Sequence, residues 1–200
     1  MTEDKGTRRK ARVRRTTKET DVSVELDLDG AGRAAVSTGI GFLDHMLASL
    51  AKHARLDLEL SCKGDLEIDD HHTAEDCSLA LGQAVDEALG ERRGIARFGH
   101  AYAPLDEALA RAVIDLSGRP FSVIELGLDR DSIGGIATEN LGHALHSLAV
   151  AARCNLHVQV LRGINDHHRA EAAFKATALA LRRAIERDGS ADVPSTKGVL

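Results

Sequence analysis

The chain has 200 residues, a formal net charge of -5 at pH 7, 43% hydrophobic residues and 2% aromatic residues. This length suffices for one domain with a sizeable core, or for two half-domains that share one. The acidic balance and the few aromatic side chains argue against a nucleic-acid-binding protein, and no apolar run approaches the roughly 20 residues that cross a bilayer.

The N-terminus is charged, with no apolar segment behind it, and the chain has three cysteines, none in a CxxC spacing. These features predict an untargeted protein of a reducing cytoplasm, without a disulfide framework or a cysteine-based zinc site. The basic stretch at residues 8–18 is typical of a solvated edge strand, which we favour over a site for a polyanion.

The first half of the chain predicts the order strand, strand, helix, strand, helix. Apolar residues alternate over residues 22–28, and the Asp29-Gly30 pair that follows predicts a β-hairpin to residues 34–39. The later elements are predicted from helical spacing at residues 41–54, alternation at 56–60 and helical spacing again at 73–89.

The second half predicts the same order after Gly94. The predicted elements are paired strands at residues 109–116 and 121–128, a helix at 138–152, a strand at 156–161 and a helix at 168–187. We therefore expect an α+β fold of two tandem similar half-domains, each a β-β-α-β-α unit with helices on one face of a sheet. The predicted boundaries are residues 1–94, including an N-terminal arm, residues 95–187, and a C-terminal tail at 188–200.

The sequence Asp-His-His-x-Ala-Glu occurs twice, at residues 70–75 and 166–171. On a helix, a histidine and the glutamate four residues later share one face, whereas the adjacent histidine can face a different volume. One copy of the motif can therefore serve two metal sites. Imidazole with carboxylate suits Mn(II), Fe(II) or Zn(II), and this ligand set does not choose among them.

A histidine on a predicted helix precedes each copy: His45 lies 26 residues before His71, and His143 lies 24 residues before His167. The alternative interpretation is a pair of helix caps, with Asp70 and Asp166 as the capping residues and the histidines exposed. The repetition of the whole pattern favours metal binding over capping.

Groups suited to phosphate are scattered over the rest of the chain. Arg97 and Arg119 lie at predicted turns, and Ser195–Gly198 of the tail carries hydroxyl groups and a cation. Each is, by itself, more typical of a solvated surface. Zincin, P-loop and nucleophile-elbow motifs are absent from the sequence.

Seven segments in this order resemble the imidazoleglycerol-phosphate dehydratase family of histidine biosynthesis. They are RTTKET (15–20), TGIGFLDHML (38–47), DLEIDDHHTAED (65–76), GIARFG (94–99), LSGRP (116–120), NDHHRAEAAFKA (165–176) and STKGVL (195–200). In one departure, Ala144 and Leu145 stand where the family often has an aromatic pair after the histidine matched by His143. This difference affects packing more than chemistry.

The resemblance implies a metal-dependent hydro-lyase with a duplicated fold like the second domain of ribosomal protein S5. It also implies two Mn(II) ions per active site and a 24-subunit assembly with sites at subunit contacts, and no partner in nucleic acid or membrane. The implied metal ligands, also taken as catalytic, are His45, His71, His72, Glu75, His143, His167, His168 and Glu171. The sequence leaves open how these eight divide between the two ions.

The resemblance further implies the reaction, in which D-erythro-imidazoleglycerol phosphate loses water through a metal-bound imidazolate and becomes imidazole acetol phosphate. Glu19 is matched to the base that takes the C–H proton. The implied substrate-binding residues are Glu19, His53, Arg97, Arg119, Lys175, Ser195 and Lys197. A metal-dependent phosphatase and a non-catalytic metal-binding oligomer remain as alternatives, and the acid that helps the hydroxide to leave stays open.

Overall fold

The computed structural model describes residues 8–198 and Leu200, so residues 1–7 of the predicted arm and Val199 of the tail lie outside the described residues. The first half contains β1 (Lys10–Thr16), β2 (Thr20–Asp27), β3 (Ala34–Ser37), α1 (Gly41–Ala54), β4 (Asp57–Gly64) and α2 (His71–Leu89). The second half contains β5 (Phe98–Leu105), β6 (Ala108–Asp115), β7 (Phe121–Glu125), β8 (Ser132–Ile133), β9 (Ile136–Ala137), α3 (Thr138–Ala151), β10 (Asn155–Arg162) and α4 (Asp166–Ala184).

Each half forms a four-stranded sheet, with the strand orders β1-β2-β4-β3 and β5-β6-β10-β7. In both sheets the last two strands are parallel and the other neighbours are antiparallel. The predicted α+β class and its duplication are confirmed. The edge-strand interpretation of residues 8–18 is also confirmed, because β1 is an outer strand of its sheet.

The predicted pairing of β2 with β3 across Asp29-Gly30 is wrong, because β4 lies between these strands. The Asp57 side chain at the start of β4 accepts hydrogen bonds from the backbone N–H groups of Ala31 and Arg33. These bonds hold the segment between β2 and β3 against the end of β4. The predicted pairing of β6 with β7 is wrong in the same way, because β10 lies between them. Alternation of apolar and polar residues predicts where strands lie, but it does not identify a parallel partner strand that is distant in sequence.

In the described residues the hairpins lie elsewhere, at the β1–β2 turn, at the β5–β6 turn and in the short β8–β9 ribbon. In the β5–β6 turn, Leu105 pairs with Ala108, so Asp106 and Glu107 form a two-residue loop. Asp106 has a φ of 46°, the left-handed conformation that such loops need and that aspartate tolerates. Sequence patterning missed β5 and the short β8–β9 ribbon.

The four helices form a layer between the two sheets and pack across the halves, α1 against α4 and α2 against α3. Their inner faces are mostly alanine and leucine, so the helices approach closely. One such close approach is at Gly82 of α2, where an added Cβ would lie 2.5 Å from the carbonyl oxygen of Leu148 on α3. No helix in the described part of the chain is long and apolar enough to cross a bilayer.

We expect Gly82→Ala to destabilise the fold by about 1–3 kcal/mol, because the added methyl group must push α2 away from the α3 backbone. Gly142→Ala on α3 is the matched control, since its Cβ would meet only the Ile124 side chain at 3.8 Å. That control should gain up to about 1 kcal/mol from helix propensity. Urea denaturation of the two variants measures both changes, and a Gly82→Ala variant as stable as the unaltered chain would contradict the close approach.

Candidate metal and active site

Helix packing across the halves brings six of the eight predicted ligands into two three-residue clusters, whose ligand atoms lie within 4.8 Å of one another. The His45 cluster consists of His45, His167 and Glu171, and the His71 cluster consists of His71, Glu75 and His143. Each cluster therefore takes a histidine and a glutamate from one copy of the repeated motif and its third member from a helix of the other half.

In the His45 cluster, Oε2 of Glu171 lies 3.2 Å from Nε2 of His45 on α1 and 3.2 Å from Nε2 of His167. Lys175, one turn further along α4, contacts the other carboxylate oxygen at 2.7 Å. Burial alone would raise the pKa of Glu171, but hydrogen bonds from Lys175 and His45 outweigh it and bring the pKa to about 2. The carboxylate is therefore ionised, as a metal ligand must be.

The His71 cluster has the corresponding arrangement. Oε1 of Glu75 lies 3.1 Å from Nε2 of His143 on α3, and the rings of His71 and His143 stack with centroids 4.7 Å apart. Nδ1 of His71 lies 2.8 Å from Oδ1 of Asn140, also on α3. That contact leaves Nε2 of His71 for the cluster.

The remaining two predicted ligands, His72 and His168, lie outside both clusters, each beside two carboxylates of its own half. Nδ1 of His72 lies 3.1 Å from Asp65, and its Nε2 lies 3.8 Å from Glu19. Nδ1 of His168 lies 2.8 Å from Glu107, and its Nε2 lies 3.7 Å from Asp106. The hydrogen bonds that His72 donates to Asp65 and His168 donates to Glu107 raise the pKa of the two histidines.

The capping interpretation is wrong for Asp166, and Asp70 occupies the N-cap position of α2 without making a capping hydrogen bond with its side chain. The side chain of Asp70 accepts a hydrogen bond from the backbone N–H of Ala137 in the other half, at 2.7 Å. Asp166 is buried inside α4 and accepts from the backbone N–H groups of Asp129 and Arg130. The side chain of Asn165 caps α4 by accepting from the N–H of His167. Both aspartates thus tie the start of a motif helix to a distant segment.

Six of the seven predicted substrate-binding residues fall into two groups, and the seventh, Glu19, lies near His72. Lys175 lies beside the His45 cluster, and so does His53, whose pKa is lowered by burial and by nearby Lys175. Arg97, Arg119, Ser195 and Lys197 form the tail group at the other end of α4.

Within the tail group, Arg97 donates hydrogen bonds to Asp115 at 2.7 Å and to the carbonyl of Pro194 at 2.8 Å. The turn that carries Arg119 lies against the chain end, since an added Cβ at Gly118 would meet the backbone of Leu200. These contacts bring the tail beside both predicted arginines.

Four polar neighbours of the histidines were missed by sequence reasoning: Asp65, Asp106, Glu107 and Asn140. Asp65 is close to His72 in sequence and could have been noticed in the segment DLEIDDHH. Asp106 and Glu107 lie about 60 residues before His168, and only the folded chain brings them together.

Comparison with known proteins gives a consistent result. The family profile described as Imidazoleglycerol-phosphate dehydratase matches residues 38–181. A protein of that name from Salinibacter ruber is 58% identical over 193 residues, which cover 96% of this chain and 96% of the relative. Another from Phytophthora nicotianae is 62% identical over 96% of this chain, although the chain spans only 42% of that longer relative.

Among solved structures, that of the Pyrococcus furiosus enzyme of this family superposes with a TM-score of 0.81 at 38% identity, covering 94% of this chain and 100% of the other. Sequence and fold therefore agree over nearly the whole length. The chain belongs to the imidazoleglycerol-phosphate dehydratase family, the hydro-lyases of histidine biosynthesis.

Proposed function

We propose that the chain catalyses the dehydration of D-erythro-imidazoleglycerol phosphate to imidazole acetol phosphate, with two Mn(II) ions per active site. The observation that most supports this proposal is that the chain, a member of this family, contains two clusters of the same composition. Each cluster has two histidines and one glutamate. The proposed ligands are His45, His71, His72, Glu75, His143, His167, His168 and Glu171.

The clusters fit a divalent ion in chemistry and in size. Ligands about 2.0–2.2 Å from an ion lie about 3 Å apart along an octahedral edge. The distances of 3.1 and 3.2 Å from the glutamate oxygens to the histidine nitrogens agree with that spacing. Both clusters consist of imidazole and carboxylate, which suits Mn(II) and does not favour a thiolate-seeking metal.

When bound, the ions supply Lewis acidity that favours the deprotonated imidazole ring of the substrate. The chain must supply a base for the C–H proton, and we assign this role to Glu19. Its carboxylate is about half exposed and lies 3.8 Å from Nε2 of His72, so it can reach a substrate at that face. Removal of this proton, together with loss of hydroxide from the carbon attached to the ring, completes the loss of water and forms the enol, which then becomes the ketone.

The substrate phosphate is proposed to bind the tail group, where two guanidinium groups, a hydroxyl group and an ammonium group are available for charge-assisted hydrogen bonds. Lys175 and His53 are proposed to contact the substrate nearer the His45 cluster. The tail group and the cluster are far apart in one chain. The backbone N–H of Arg97 bonds to Ala184, 13 residues after Glu171, which corresponds to about 20 Å along α4.

This separation supports active sites built from more than one copy of the chain, in the proposed 24-subunit assembly. His72 and His168 support the same arrangement, because they lie outside the clusters of their own chain. If each cluster receives one of these histidines from a neighbouring copy, each ion has three histidines and one glutamate. Positions would then remain for the substrate.

Two other functions use part of this chemistry. A metal-dependent phosphatase would use the clusters and the tail group but would release inorganic phosphate. A non-catalytic metal-binding oligomer would need the clusters and would have no use for Arg97, Arg119 and the tail. Incubation of the purified protein and Mn(II) with imidazoleglycerol phosphate separates the three, because only the proposed function forms the ketone without free phosphate.

Glu19→Gln tests the assignment of the base. We expect turnover to fall at least about 10²-fold, the scale of general-base loss, while substrate binding stays within about tenfold. Glu25→Gln is the matched control, since Glu25 pairs with Arg12 on the exposed face of the first sheet. Near-normal turnover of Glu19→Gln, measured by ketone formation, would move the role to another residue.

Mixed assemblies test whether the site is shared between copies. Arg119→Ala and Glu171→Gln chains, co-expressed with different tags and purified through both, should each be almost inactive alone. If the two chains assemble at random in equal amounts, about a quarter of the sites should be intact. Half of the sites take their cluster from an Arg119→Ala chain, and half of those take their arginine from a Glu171→Gln chain. The readout is kcat/KM, and activity no higher than the sum of the two variants alone would indicate sites within single chains.

A further inference from the structure

The rings of His72 and His168 are each fixed by a carboxylate at Nδ1. Asp65 lies 3.1 Å from Nδ1 of His72, and Glu107 lies 2.8 Å from Nδ1 of His168. A carboxylate at one ring nitrogen keeps a proton there, so the other nitrogen presents its lone pair. In both histidines, the nitrogen that becomes available is Nε2.

The two carboxylates come from different places in the duplicated unit. Asp65 lies in the loop between β4 and α2, whereas Glu107 lies in the β5–β6 turn of the second half. The counterpart of that turn in the first half is the β1–β2 turn, which carries Glu19 close to Nε2 of His72. Because unrelated positions supply the same contact, duplication of the chain does not by itself account for it.

Glu107 makes further contacts that fix its position. It accepts hydrogen bonds from the backbone N–H groups of Ile164 and Asn165, at 3.1 and 2.8 Å, just before α4 begins. Together with the contact to Nδ1 of His168 at 2.8 Å, these bonds hold the Glu107 carboxylate between the start of α4 and the histidine ring.

We propose that Asp65 and Glu107 are positioning residues, which orient His72 and His168 so that each Nε2 is directed at a divalent ion. This inference rests on the proposed function and deepens it. Under it, the site has two orienting carboxylates in addition to its eight ligands. In the first half the two roles belong to different residues: Asp65 orients His72, and Glu19 remains available for proton transfer.

Mn(II) affinity of the assembled protein is the measurement, from the electron paramagnetic resonance signal of the free ion. Asp65→Asn keeps the size and one oxygen acceptor but removes the charge, and we expect it to weaken Mn(II) binding about 10–100-fold. Glu107→Gln should weaken it by a similar factor while keeping an acceptor for the two N–H groups. Asp131→Asn, at an exposed carboxylate, is the control for the loss of one negative charge and should leave the affinity unchanged.

Thermal denaturation of the metal-free variants separates positioning from general damage. An unchanged midpoint together with weaker Mn(II) binding supports the proposal, and Asp65→Glu should recover part of the affinity. Mn(II) affinity like that of the unaltered protein in both variants would overturn it. If Glu107→Gln fails to fold, Asp65→Asn decides alone. Absence of Mn(II) binding in the unaltered protein would instead overturn the proposed function on which the inference rests.

Discussion

Two contacts between a histidine and a glutamate cross from one half of the chain to the other: His45 to Glu171, and Glu75 to His143. They exist because α1 packs on α4 and α2 packs on α3, so that each motif helix lies beside a helix of the opposite half. The close approach of α2 and α3 at Gly82 contributes to this packing. The duplicated halves therefore build both clusters jointly, and one half alone would hold only two members of one cluster and one of the other.

The part of the fold that follows from local sequence was predictable. Helical spacing gave α1 at its observed bounds, because its apolar positions Phe42, Leu43, Met46 and Leu50 all face the core. The repeated motif and the histidine that precedes each copy likewise indicated that potential metal ligands lie close together in the folded chain. Strand pairing was not predictable in this way, since β3 and β7 each pair in parallel with a strand that lies on the other side of a helix in the chain.

The candidate site was predictable to a similar extent. The spacing of four residues in each motif placed His71 with Glu75 and His167 with Glu171, as the structure has them. Which leading histidine joins which motif depends on helix packing across the halves, and His45 joins the motif of the second half. Glu107 could not be found from its sequence context, because a turn residue gains its role only when the chain brings it to His168.

Anomalous diffraction from crystals containing Mn(II) tests the crossed arrangement most directly, because it locates the ions without reference to activity. We predict two sites per chain, one bonded to Nε2 of His45 and of His167 and to Glu171, and one bonded to His71, Glu75 and His143. Ions bonded only by residues of one half, or a single site per chain, would contradict it.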